Sequence, residues 1–194
     1  MKRSALLIMF VLIMSSCSMP ETKIYTLSLP VSENLNNGSL DTSLSIKIHA
    51  PRYLEQPYIA HRVSEYQIEI SRYSKWASSP ADIVKSEFQD AFASLFMEVR
   101  TSGHLPEGFY LLDIKLSKFE RTDNQNGSFG ELVFDVKMLS PEGEEIYKDT
   151  ISKSVKLDKQ DNPSLAKALS SALSASIEEV KNNISSKLNT TSNQ

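Results

Sequence analysis

Cysteine is almost missing from this chain of 194 residues: there is one, Cys17. A single thiol excludes an intramolecular disulfide framework and any multi-cysteine zinc or iron–sulfur site. Histidine is scarce as well. His49, His61 and His104 have no metal-ligand spacing, and each reads as a surface or loop side chain. Only six glycines are present, none in the G-x-G-x-x-G or G-x-x-x-x-G-K arrangement that cradles phosphate. The G-x-S-x-G elbow of a hydrolase nucleophile is missing too. The acid pairs Glu144–Glu145 and Glu178–Glu179 read as solvated faces, not as acid–base machinery. There is no basic surplus: 21 lysines and arginines stand against 24 acids, a net charge of −3. A phosphate-seeking surface is therefore excluded as the main theme, and no nucleic-acid partner is expected. With no catalytic constellation in view, the chain is expected not to be an enzyme.

What remains is ordinary globular material, 40% apolar and 23% charged, at a length that fits one domain. The N-terminus is the exception. Lys2 and Arg3 precede an unbroken apolar run over residues 5–14. As a helix that run rises about 15 Å, half of a bilayer core, so it suits a secretory signal peptide better than a span. The sole cysteine follows at once, in Met14-Ser15-Ser16-Cys17. That arrangement resembles a bacterial lipobox, with an apolar residue at −3 and small residues at −2 and −1. Met14 stands where leucine is usual. The segmentation is then a signal peptide at 1–16, a lipidated tether at 17–22, a folded domain at 23–189 and a disordered tail at 190–194. No cofactor is expected beyond the covalent lipid on Cys17. Ser18, not aspartate, follows the cysteine, which by the usual sorting pattern of enteric lipoproteins favours the outer membrane.

Period-two and period-3.6 patterns order the domain. Residues 23–29 read as a strand stopped by Pro30, residues 31–43 as a polar loop and residues 44–48 as a half-buried strand. Pro51 and Pro57 bracket an irregular stretch. Residues 62–73 read as one strand with Tyr66, Ile68 and Ile70 on one face. Ser79-Pro80-Ala81-Asp82 opens a helix, with serine as N-cap and proline at the first position. Its stripe of Val84, Phe88, Ala91, Phe92 and Leu95 carries it to about residue 96. An antiparallel meander follows: 110–119 (Leu112, Ile114, Leu116), 131–139 (Leu132, Phe134, Val136, Met138) and 146–157 (Tyr147, Ile151, Val155, Leu157). Residues 122–130 form its polar hairpin loop. Asn162-Pro163 caps a long last helix with Leu165, Leu169, Leu173, Ile177, Val180, Ile184 and Leu188 on one narrow stripe. The fold expected is α/β, with α+β as the alternative: one domain with a mixed, mostly antiparallel sheet of about five to six strands and two main helices.

One segment carries more than periodicity. It reads Pro51-Arg52-Tyr53-Leu54-Glu55-Gln56-Pro57, then Arg62, then Trp76-Ala77 just before the helix. This pattern, with the lipobox and the early Tyr25-Thr26-Leu27 strand, resembles the ABC-type transport auxiliary lipoprotein family, the PqiC-like lipoproteins. Lys75 and Ser78-Ser79 depart from the family's usual arginine and acidic-proline step. The resemblance implies a sheet flanked by helices, with some likeness to the TolB N-terminal fold. It implies an outer-membrane lipoprotein on the periplasmic face, the auxiliary component of a system that moves lipids between membranes. Its partner would be a periplasmic MCE-domain protein, and a homo-oligomeric ring would match such a channel. Two rivals share the tether: a carrier holding lipid in its own pocket, and a regulator or assembly factor of a cell-envelope machine.

For Pro51, Arg52, Tyr53, Leu54, Pro57, Arg62 and Trp76 two roles stand open. They form a buttress that locks loop to helix, or an interface that holds a partner. Two prolines stiffen the loop, the arginine forks suit carboxylates, and aromatic and arginine side chains make good interface anchors.

Overall fold

The computed structural model describes residues 20–30, 40–101 and 103–191. The signal peptide, Cys17 and most of the 31–43 loop lie outside the described residues, as does the end of the tail. In chain order the strands are β1 (Lys23–Tyr25), β2 (Leu40–His49), β3 (Tyr58–Ser64) and β4 (Gln67–Trp76), followed by helix α1 (Pro80–Phe92). Then come β5 (Phe96–Arg100), β6 (Phe109–Asn124), β7 (Gly127–Leu139), β8 (Glu145–Lys156) and helix α2 (Asn162–Thr191). All eight strands join one mixed sheet, larger than the five to six expected but of the expected class.

β6 organises the sheet. One edge pairs antiparallel with β7 along its whole length, and β7 pairs antiparallel with β8. The other edge is divided. Its first half, Phe109 to Lys115, takes β2 in parallel, and β2 carries β5. Further on, Arg121 and Thr122 take β3 in parallel, and β3 carries β4 and then β1. The β2–β3 connection crosses the stretch between these two attachments.

Both helices cover the same face. Phe88 of α1 meets Phe134 edge-on at 5.7 Å. α2 lies against Gly130, four residues earlier on β7 and so on the same face. A Cβ on Gly130 would sit 3.2 Å from Ala168 Cβ and 3.4 Å from Leu169 Cγ, so glycine is what lets α2 approach the strand. All seven apolar residues of the α2 stripe are buried. Burying each contributes about 1.5–3 kcal/mol before conformational entropy is subtracted.

Several boundaries differ from the sequence reading. The strand read at 62–73 is a hairpin, with a turn at Glu65 and Tyr66 between β3 and β4. No glycine, proline or asparagine marks that turn. Instead the Ser64 hydroxyl oxygen accepts from the Tyr66 N–H at 3.3 Å. Helix α1 stops at Phe92, where Leu95 N–H folds back to the Phe92 carbonyl at 2.9 Å. Phe96, expected as the end of the helix, instead begins β5. Its ring still stacks on Phe92 at 6.2 Å, so the apolar spacing ran on while the backbone changed. β1 ends at Tyr25, and beyond it Ser28 N–H donates to Ser170 Oγ of α2 at 3.0 Å in place of a ladder bond. The last helix is capped one residue early, by Asp161, whose Oδ1 accepts from Ser164 N–H at 2.8 Å.

Candidate functional site

Two prolines and an internal turn shape residues 51–57. Leu54 N–H donates to the Pro51 carbonyl at 2.8 Å, which folds the loop on itself. That fold drives Leu54 into the core at 0% exposure and leaves Arg52 and Glu55 exposed. The Leu54 carbonyl accepts from Ala81 N–H at 3.1 Å, satisfying one of the unpaired amides at the start of α1. Ser79 Oγ accepts from Asp82 N–H at 3.1 Å and satisfies another, as its N-cap position predicts. The Pro57 carbonyl accepts from Trp76 N–H at 2.9 Å. Trp76 is 2% exposed and meets Phe119 edge-on at 5.5 Å.

Beneath this loop lies a residue that the sequence reading passed over. β6 carries a bulge: Leu116 faces Phe134 and Lys118 faces Val133, leaving Ser117 as the extra residue. Before it Leu112, Ile114 and Leu116 face the helices; after it Phe119 does, and Glu120 turns to the opposite face. There Glu120 is 0% exposed. Arg62 of β3 binds it through Nε to Oε1 at 2.5 Å and Nη2 to Oε2 at 3.2 Å, a two-pronged pair. The Tyr53 hydroxyl sits between two acceptors, Glu120 Oε2 at 3.1 Å and the Ser117 carbonyl at 3.2 Å. Burial pushes the Tyr53 phenol well above its ordinary value, and the Glu120 carboxylate adds to that. The hydrogen bond to Glu120 raises the Arg62 guanidinium in turn. Tyr53 and Arg62 therefore both aim donors at one buried carboxylate. The one available signal was a slip in the alternation: Leu112, Ile114 and Leu116 are followed by Phe119, with the acid directly after it.

A second polar group sits on the helix-bearing face, near the start of α2. Asp123 Oδ2 receives His61 Nε2 at 3.0 Å, Arg121 Nη2 at 3.1 Å and Gln160 Nε2 at 2.8 Å. His61 is thus a strand residue in a polar cluster, not the surface or loop histidine expected. Burial works to raise the Asp123 carboxyl. Hydrogen bonds from Ser128 and Gln160, with the charges of Arg121 and His61, overcome it and hold the group below its ordinary 3.8. A depressed folded-state value stabilises the fold above the ordinary value and loses that stability as pH falls through the depressed one. Asp123→Asn should therefore be less stable than the parent at neutral pH, with the gap closing as pH is lowered past 3.8. Urea midpoints of the two proteins across that range check this; a gap that stays constant counts against it.

The structure thus brings Pro51, Tyr53, Leu54, Pro57, Arg62 and Trp76 together around Glu120 and the start of α1, and leaves Arg52 outside at the surface. Elsewhere, an open groove of about 680 Å³ runs between Thr26, Ser28 and Pro30 on one side and Ala166, Ser170 and Ser174 of α2 on the other.

The chain belongs to the ABC-type transport auxiliary lipoprotein component family, whose model matches residues 25–181. It is similar in fold to protein XCC0632 from Xanthomonas campestris, described under family DUF330. The two share 18% identity at a TM-score of 0.74, over 89% of this chain and 100% of that one. A second solved structure, of an uncharacterized protein, is similar at 15% identity and a TM-score of 0.65, over 85% and 99% of the two chains. At these identities the likeness concerns the fold alone. No curated protein matches the sequence.

Proposed function

We propose that this protein is a lipid-anchored auxiliary component of an ABC-type system that moves lipids between envelope membranes. In this reading Cys17 carries the acyl chains, the outer membrane holds them and the domain faces the periplasm. The domain docks a periplasmic MCE-domain channel, and several copies surround an oligomeric channel. It performs no chemistry of its own. The family match over residues 25–181 carries the reading, and the sole cysteine at the end of the only long apolar run supports the anchor. A carrier with its own lipid chamber is less well supported, since the groove beside α2 is open and lined largely by serine, threonine and alanine. The loop at 51–57 with Arg62 and Trp76 serves as a buttress, because Leu54 and Trp76 are buried and the Leu54 and Pro57 carbonyls bind α1 and β4.

Crosslinking of the lipidated full-length protein in its native envelope, with capture and mass spectrometry, tests the docking. Enrichment of an MCE-domain protein is expected. Enrichment of a cell-wall synthase or an outer-membrane barrel without any MCE protein would replace this reading with the regulator or assembly factor. Cys17→Ala tests the anchor. Each buried acyl CH₂ contributes about 0.8 kcal/mol, so several chains hold firmly. The variant should move from the membrane pellet to the soluble fraction, and equal retention would remove the anchor from the account.

A further inference from the structure

The anchor chain is short, and its shortness selects which end of the domain meets the membrane. Cys17 stands three residues before Pro20. Even fully extended, that chain lets the two Cα atoms lie no more than about 11 Å apart. Pro20 and Glu21 lie beside Tyr73, Arg121 and Asn162, at the N-terminal end of α2. α2 has 30 residues, a length of about 45 Å at the helical rise per residue. A connection of about 11 Å at one end cannot reach around to the other.

Topology says what else lies at that end. β1 runs parallel to β4, with Lys23 opposite Ser74, so the chain enters β1 from the side on which β4 begins. β4 begins at the β3–β4 turn, Glu65 and Tyr66. β3 in turn runs parallel to β6, with Arg62 opposite Thr122. Both strands end within a few residues, so the β3–β4 turn and the β6–β7 turn at Gln125 and Asn126 project in the same direction.

One side chain in these turns is an exposed aromatic. Tyr66 is 91% exposed, and Val63 just before the turn is 45% exposed. The turn does not demand tyrosine: its backbone has no positive φ at a non-glycine residue, and the Ser64 hydroxyl holds the Tyr66 N–H. A tyrosine has an apolar ring and a polar tip, which suit the boundary between headgroups and acyl chains.

We infer that the β3–β4 turn is a membrane contact, with Tyr66 and Val63 seated in the headgroup layer of the bilayer that holds the Cys17 lipid. This contact presupposes the lipid anchor proposed above. The chain's single cysteine makes it testable. In the acylated protein the Cys17 sulfur is a thioether, so an introduced cysteine is the only reactive thiol. Full-length Tyr66→Cys and Glu142→Cys proteins would be labelled with an environment-sensitive fluorophore. Glu142 is the opposite-end control, in the β7–β8 turn and exposed. Both would be reconstituted into phosphatidylethanolamine–phosphatidylglycerol vesicles, with and without headgroup-spin-labelled lipid. The probe at 66 should be quenched several-fold more by the spin-labelled lipid than the probe at 142. Equal quenching at the two sites, in protein shown by mass spectrometry to be acylated and by flotation to be vesicle-bound, overturns the orientation alone. Protein that carries no acyl chain and fails to float overturns the anchor, and the contact with it.

Discussion

Trp76→Ala is expected to lower the unfolding free energy by about 3–5 kcal/mol, the cost of truncating a large aromatic in a packed core. Domains of this size are stable by roughly 5–15 kcal/mol in all, so the variant should be near or past the edge of folding. The expectation rests on placement. The ring is 2% exposed and meets Phe119 edge-on; the backbone N–H of Trp76, which donates to the Pro57 carbonyl, is kept in the variant. Trp76→Phe should lose much less. The indole Nε1 is buried without a protein hydrogen-bond partner, so phenylalanine forfeits volume and no bond. Chemical denaturation of the three proteins, followed by circular dichroism, decides it. An alanine variant with the parent's midpoint that no longer captures its partner would instead make Trp76 an interface residue.

Arg62→Leu should cost about 3 kcal/mol or more, because it strands Glu120 as a buried charge. Glu120 is 0% exposed, and Arg62 supplies two of the hydrogen bonds that reach it. The Tyr53 hydroxyl remains but carries no charge. Replacing both members, as Arg62→Leu with Glu120→Leu, should recover much of the loss, since an apolar pair no longer requires desolvation of ions. A double-mutant cycle on urea midpoints should give a coupling above about 1 kcal/mol. Additive losses would mean that the two side chains are neighbours without being partners.

Much of the fold was legible one strand or helix at a time. The α2 stripe recurs at three- and four-residue steps from Leu165 to Leu188, and every member is buried. Leu132, Phe134, Val136 and Met138 alternate in β7 and all face inward. Ser79 and Pro80 start α1 where capping chemistry puts them. The failures have two causes, a turn made by a hydrogen bond that no glycine or proline announces and an apolar spacing that fits two structures. Ser64 closes the β3–β4 turn with its hydroxyl, and the end of α1 falls inside a run whose apolar spacing suits a helix and a strand equally.

The site was half legible. The proline-bracketed loop, Arg62 and Trp76 stand out through the family resemblance, but their partner does not. Glu120 is some sixty residues from Arg62 and Tyr53 in the chain, and nothing local couples them. A bulge at Ser117 turns Glu120 away from the helices, and the division of the β6 edge between β2 and β3 brings the loop over it. Read alone, the sequence determined the absence of cofactor-binding motifs, the class of fold and the faces of its long elements. These follow from residue type and period, which act within a few residues. Only the tertiary structure decided the order of eight strands and the burial of the Tyr53–Arg62–Glu120 cluster. Those depend on which distant strands pair, and pairing is set by the packing of whole faces against one another.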